Sequence, residues 1–269
     1  MHIKLSLYPG GKTKALTMSY DDGTVHDRRL VDIFNRYGIK STFHLNSGFF
    51  GKGGYLEEKE IADLFRGHEI SVHTSTHPHL HRIPRAQAVT ELMTDRAKLE
   101  RLAGYPIRGM SYPYGTYNEA VVHLLEELGM VYSRTVASTG EFTFPERPLT
   151  WHPTCHHRDM AEMAEAFLNY ETLTWRAGLP LLYVWGHSYE FNNNNNWDDM
   201  ERFCERMAGR EDIWYATNIE LIEYKEALDR LQCSAEGTLV RNPSAIPVWV
   251  QAGEKPVEIG PGQTVRIGE

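Results

Sequence analysis

Residues 71–80 read SVHTSTHPHL, with His73 and His77 four apart and Pro78 directly behind the second histidine. On a helix that spacing would set both imidazoles on one face. Pro78 pushes His77 toward extended backbone angles, which argues for a short loop after the apolar run GHEISV instead. Two imidazoles can seat a divalent cation only with a third ligand from elsewhere. Carboxylates stand at Tyr20-Asp21-Asp22-Gly23, although Asp-Asp-Gly taken alone is a turn sequence. Two histidines and one carboxylate make a facial ligand set that leaves positions open for water and substrate. Such an ion lowers the pKa of bound water toward about 7 and polarises a carbonyl. Hydrolysis then needs a base for the water and an acid for the leaving group. Two adjacent aspartates can divide the labour, one on the metal and one as base, and a histidine on another strand can supply the acid.

These residues need a scaffold, and the chain alternates short apolar runs with amphipathic stretches. KALTMSY, KSTFHLNSG, HEISV, IRGMSYP, MVYSRTV, LPLLYVWG and DIWYAT are the strand candidates. Helical spacing follows each of them, as in VHDRRLVDIFNRYG, where Leu30, Ile33, Phe34 and Tyr37 share a face and Gly38 stops the run. Other helices are expected over LEEKEIADLFRG, residues 84–103, NEAVVHLLEELG, DMAEMAEAFLNYETLTW, WDDMERFCERMAG and NIELIEYKEALDRLQ. Seven strand-helix units in a row predict a parallel sheet covered by helices, closed as a barrel or lying open. No G-x-G-x-x-G follows the first strand, which counts against a dinucleotide fold. A loop of some twenty residues precedes the helix beginning at Asp159, and Asn192 to Asn196 read as a solvated loop.

In a parallel α/β barrel the site forms at the carboxyl ends of the strands. Asp21 and Asp22 end the first, His44 and Asn46 the second, His73 and His77 the third, Ser111 to Gly115 the fourth, Ser133 and Arg134 the fifth, and His187 the sixth. Acid and imidazole groups on so many consecutive strand ends outweigh the bland reading of each one.

The remaining features set bounds. The chain has 269 residues and a formal charge of −8 with no Lys/Arg block, which argues against nucleic acid as a partner. No apolar stretch is long enough for a membrane span. Three widely spaced cysteines and the absence of a secretory leader pattern favour a cytoplasmic protein. From about Ser234 the helical pattern gives way to Gly, Pro and alternating VWV and TVRI, so residues 1–233 are expected to form the barrel and 234–269 a small β appendage.

SYDDG, HTSTH, SYPYG and the late strand ending in WGH resemble, in order and spacing, the motifs of the polysaccharide deacetylases, the NodB-homology group of carbohydrate esterase family four. The resemblance implies a distorted seven-stranded β/α barrel and a hydrolase of carbon–nitrogen amide bonds that removes acetyl from an N- or O-acetylated sugar. It implies Asp21 as general base, Asp22, His73 and His77 as ligands of one divalent ion (zinc first, cobalt or nickel otherwise), His187 as general acid and the Tyr114 amide as oxyanion donor.

The motifs also depart from the family. Its third motif begins with an arginine that orients the catalytic aspartate, where this chain has Ser111; Arg134 is the candidate to supply that charge from a neighbouring strand, with Arg108 behind it. The family's Asp-x-x-Asp-Trp, which orients the catalytic histidine, is missing. Glu190 lies near His187 in sequence, with nothing to fix where it points. Tyr112, His44 and, in the loop 151–157, Trp151 and His156 are the candidates to line the substrate pocket or rebuild the site; an ordinary surface loop is the plain alternative for 151–157. The departures suit a small amide or sugar substrate. Allantoinase-like hydrolysis of a ureide and a carbohydrate-binding barrel without turnover are the alternatives.

Overall fold

The computed structural model describes residues 3–171, 178–253 and 255–267. After a short strand β1 (Ile3–Lys4), the long strand β2 (Lys14–Asp22) opens a parallel series: β3 (Thr42–Leu45), β4 (Glu69–Val72), β5 (Gly109–Ser111), β6 (Tyr132–Arg134), β7 (Cys155–His156), β8 (Leu181–Gly186) and β9 (Ile213–Tyr215). Across the sheet the order is β6-β5-β4-β3-β2-β8-β7, with β9 also paired to β2. Every neighbouring pair is parallel. Leu16 pairs with both β8 and β9, and Tyr20 with both β8 and β3, so β9 and β3 share one edge of β2. The sheet curls into a distorted β/α barrel, and its two ends approach through a bridge between Arg134 and Trp151.

Central strands buried on both faces need continuous apolar sequence, which is why LPLLYVWG is so uniformly hydrophobic. The covering helices are α1 (Asp27–Tyr37), α2 (Ile61–Leu64), α3 (Arg85–Ala103), α4 (Glu119–Glu127), α5 (Met160–Leu168), α6 (Ser188–Asn194), α7 (Trp197–Met207) and α8 (Asn218–Asp229). In α1 the stripe Leu30, Val31, Ile33 and Phe34 is buried, and Gly38 ends the helix in the left-handed region. Thr217 and Glu220 form a reciprocal capping box at the start of α8. Among the described residues, no helix is long and apolar enough to cross a membrane.

Several expectations change in detail. LEEKEIADLFRG yields only a 3-10 turn and the four-residue α2, because Phe65 leaves helical angles and Gly67 turns back at φ 88°. The helix expected from Asp159 to Trp175 ends at Leu168, and residues 172–177 lie outside the described residues. The long loop contains β7, and the asparagine run is half helical: Asn192 to Asn194 complete α6, and Asn195 closes it at φ 52°.

The carboxyl-terminal stretch forms two small antiparallel sheets. One joins β10 (Gln232–Cys233), β11 (Leu239–Arg241) and β14 (Thr264–Arg266). The other joins the N-terminal β1 to β12 (Val248–Ala252) and β13 (Lys255–Ile259). Val240, Val248, Val250 and Ile259 share one apolar cluster with Ala15, Leu181, Tyr183 and Tyr224. Ala15 and Leu181 begin their strands, so the tail seals the end of the barrel opposite the polar strand ends.

Candidate active site

The parallel register sets the strand ends side by side. Asp21 is aligned with His44, His44 with Ser71, and Ser111 with Arg134. Just beyond these ends the backbone takes positive φ at Asp22 (82°), Thr74 (66°), His77 (59°) and Tyr114 (57°). Four of the five described non-glycine residues with positive φ therefore lie in one place. Such angles cost energy and persist where the surrounding structure over-determines them.

Asp22, His73 and His77 converge. His73 Nε2 lies 3.0 Å from His77 Nε2, and Asp22 Oδ1 lies 3.6 Å from the first and 3.8 Å from the second. Ligand bonds of about 2.0–2.1 Å would separate tetrahedral donors by about 3.3 Å, so the three atoms match a zinc-type ion. The donor chemistry fits as well. His73 Nδ1 donates to the Ser111 carbonyl at 2.9 Å, which leaves its Nε2 lone pair facing the cluster. Burial lowers the His73 pKa to about 3 and also lowers that of His77, so both are neutral, as a metal ligand must be. Burial also pushes Asp22 up to about 6, with His187 pulling the other way and Asp21 adding to the rise.

Asp21 sits deeper, almost wholly buried, and Arg134 is fully buried against it. The guanidinium Nη2 donates to Asp21 Oδ2, and Nη1 donates to the Thr135 carbonyl at 3.1 Å. The Arg134 guanidinium also covers the Trp185 ring at 4.5 Å. Ser111, at the position of the family arginine, donates its hydroxyl to Asp21 Oδ1 at 3.2 Å and lies 2.6 Å from His73 Nδ1. Burial alone would raise the Asp21 pKa; Arg134, then His73, His44 and His187, hold it well below the usual carboxylate range.

His187 follows β8 with Nε2 3.9 Å from Asp22 Oδ2 and Nδ1 3.0 Å from Glu190 Oε1. Its loop is tied to the loop after β2 through Ser188, whose hydroxyl donates to Asp27 Oδ1 at 2.5 Å and lies 3.0 Å from Thr24 Oγ1. Burial opposes a charged His187, but the Glu190 hydrogen bond and the Asp21 and Asp22 charges prevail and raise its pKa.

The other candidates divide. Tyr114 is exposed at the mouth, stacked on His79 at 4.0 Å and edge-on to His77 at 4.4 Å. His44 is fully buried in the floor of the site, edge-on to Tyr132, and reaches no solvent. Tyr112 and Trp151 are not brought to the cluster. The Tyr112 hydroxyl donates to the Leu149 carbonyl at 2.7 Å, and Trp151 packs edge-on against Tyr132 and Tyr183 in the apolar interior. Their aromatic bulk packs in the interior, away from the cluster. His156 is buried beside Glu190, together with His157. Arg108 is paired with Glu223, away from Asp21. The sequence offered His157 only as part of the loop 151–157 and left Glu190 undecided.

The sequence model of the polysaccharide deacetylase family matches residues 9–133. The chain is similar to that family over this stretch, just under half of its length. The matched stretch holds Asp21, Asp22, His73, His77 and Tyr114 but stops one residue before Arg134. A chitooligosaccharide deacetylase from Bradyrhizobium is 24% identical over 121 residues, 44% of this chain and 54% of the relative. The chain spans about half or less of the length of the curated relatives it matches. Two solved structures share the fold. A provisionally named polysaccharide deacetylase from Mycobacterium smegmatis aligns at TM-score 0.62 and 18% identity, over 84% of this chain and 94% of its own. The chitin deacetylase of the fungus Colletotrichum lindemuthianum aligns at TM-score 0.51 and 19% identity, over 78% and 88%.

Proposed function

We propose that this protein is a metal-dependent deacetylase that hydrolyses an acetyl group from an N-acetylated sugar. The observation that carries the proposal is the meeting of Asp21 and Asp22, from one strand end, with His73 and His77 on one side and His187 on the other. In this reading Asp22, His73 and His77 hold one divalent ion, zinc first. When bound, that ion supplies Lewis acidity at the substrate carbonyl and to a water molecule.

The protein's own groups do the rest. Asp21, kept ionised by Arg134, takes a proton from the attacking water. Ser111 and Arg134 grip both of its oxygens, so the base is fixed before substrate arrives. His187 gives a proton from Nε2 to the departing amine, and its raised pKa keeps the charged form available near neutrality. The Tyr114 amide, on a turn that φ 57° bends toward the mouth, is the donor for the developing oxyanion. Tyr114 and His79 present a stacked aromatic rim suited to the apolar face of a sugar.

The test combines elemental analysis with turnover on N-acetylated chitooligosaccharides, acetyl esters and ureides. One zinc per chain and acetate release from the amide sugar are expected, with Asp21→Asn cutting turnover at least a hundredfold at unchanged zinc content. Turnover of ureides alone, or full turnover by Asp21→Asn, would exclude this chemistry.

A further inference from the structure

Beside the proposed metal ligands lies a second group of potential ligands, His156, His157 and Glu190. Glu190, in the first turn of α6, is its hub. Its Oε2 lies 3.1 Å from His156 Nε2 and 2.8 Å from His157 Nε2, and its Oε1 lies 3.0 Å from His187 Nδ1. The protons can be placed from the surrounding donors. The backbone N–H of Arg158 (3.3 Å) and its Nε–H (3.1 Å) both point at His156 Nδ1, so that nitrogen accepts and the His156 proton is on Nε2. His156 therefore donates to Glu190. A cation there would need the Nε2 lone pair, and would force the His156 proton onto the nitrogen that faces the Arg158 guanidinium. The second cluster is thus a hydrogen-bonded carboxylate, unlike the first.

Its placement is also built in from the side. The His157 ring packs on Gly186, where a Cβ would lie 2.1 Å from Nδ1, and it is sandwiched by Tyr20 (5.9 Å, stacked) and Phe191 (4.1 Å). With Oε2 occupied by two histidines, Oε1 is left to His187 Nδ1. A carboxylate on Nδ1 fixes both the rotation of the ring and its tautomer, and turns Nε2 toward Asp22.

We propose that Glu190, clamped by His156 and His157, is the positioning residue that holds His187 in its Nδ1–H form with Nε2 aimed at the Asp21–Asp22 edge. The inference rests on the proposed function, because it assigns the support of that reaction's acid. It takes over the task of the absent Asp-x-x-Asp-Trp with a residue three positions after the histidine it serves.

The experiment uses the full chain loaded with zinc and the variant Glu190→Gln. A glutamine amide cannot accept from three N–H groups, so the clamp opens while the shape is kept. On an N-acetylated chitooligosaccharide, kcat should fall about a hundredfold with KM within about threefold; on p-nitrophenyl acetate, whose leaving group needs no proton, kcat should stay within about threefold. Nitrogen NMR of histidine-labelled protein should show a fixed His187 Nδ1–H in the wild type that is lost in the variant. Gly186→Ala, which displaces His157 and keeps Glu190, should give a smaller loss of the same kind and covers the case of a misfolded glutamine variant. Equal losses on both substrates, an unchanged His187 tautomer, or a second zinc equivalent lost in Glu190→Gln would each overturn the proposal. If the wild type hydrolyses no acetylated substrate, the proposed function fails, and the NMR result still decides the clamp.

Discussion

Arg134→Met, studied in zinc-free protein, isolates what holds Asp21 ionised in the interior. The pair is among the most buried in the molecule, with side-chain exposures of 0% for Arg134 and 3% for Asp21. His73 lies 3.8 Å from the same carboxylate, but with a pKa near 3 it carries no charge at neutral pH. Ser111 adds one neutral hydrogen bond. Arg134 therefore supplies the one full positive charge in contact with Asp21, and methionine removes it while filling much of its volume against Trp185. Removing one partner of a buried pair costs about 3–5 kcal/mol, so urea unfolding at pH 7 should show a loss in that range. The pH dependence gives the sign. In the wild type the folded pKa of Asp21 is depressed, so its stabilising contribution is full above the unfolded value of about 3.9 and is lost as pH falls through the folded value. In the variant, burial acts without the guanidinium and raises the folded pKa. Ionised Asp21 then destabilises above about pH 4, and the penalty relaxes as pH falls toward it. The gap between the two proteins should be widest near pH 7 and narrow on acidification. Asp21→Asn combined with Arg134→Met should cost less than the sum of the single changes, by about 2 kcal/mol or more. A gap below about 1 kcal/mol at pH 7, or strict additivity, would refute the argument.

The other expectations can be checked with the same protein. His77→Ala should abolish stoichiometric zinc binding by elemental analysis, and full occupancy would place the ion elsewhere. His187→Ala should lower amide turnover about a hundredfold and spare an activated acetyl ester, whereas Asp21→Asn should lose both; equal losses in both variants would mean that His187 binds instead of donating. Because its pKa is raised, His187 stays protonated past pH 6.5, so amide turnover should hold above that pH and fall as pH rises through the raised value. A basic limb centred below pH 6.5 would contradict the assignment. Tyr112→Phe should lose about 1 kcal/mol of stability with its bond to Leu149 and leave KM unchanged, while a large KM effect would return Tyr112 to the substrate pocket.

The strand ends were legible because each apolar run stops where a polar residue must emerge at the mouth, and parallel register aligns those stops. That logic located Asp21, Asp22, His73, His77 and His187, and even the Arg134 that the structure lays against Asp21 across 113 positions of sequence. It failed where an element is too short to show a period. β7 has two residues, so nothing in WHPTCHH announced a strand that would carry His156 and His157 beside β8. Glu190 was illegible for a related reason. Its direction depends on α6 starting at Ser188, and the asparagines that complete α6 have weak helix propensity. Tyr112 and Trp151 turn into the core, because an aromatic side chain near a strand end can point inward as readily as toward the mouth.

The charges explain why the departures from the family pattern belong together. Asp21, Asp22 and Glu190 bring three negative charges to the mouth, and Arg134 brings one positive. Without a cation that balance is −2, and Asp22 is pushed up to about 6, first by burial and then by the neighbouring Asp21 charge. One divalent ion between Asp22, His73 and His77 would bring the total to zero with His187 neutral. A proton on His187 would then leave one positive charge facing the place where a tetrahedral oxyanion must form. The arginine missing at Ser111 and the carboxylates missing from the fourth motif would, in this reading, be replaced as a set. Arg134 would restore the positive charge on the base side, and Glu190 would restore the negative charge on the acid side. Replacing either one alone would shift the total by a unit in a buried site, where such imbalance is most costly.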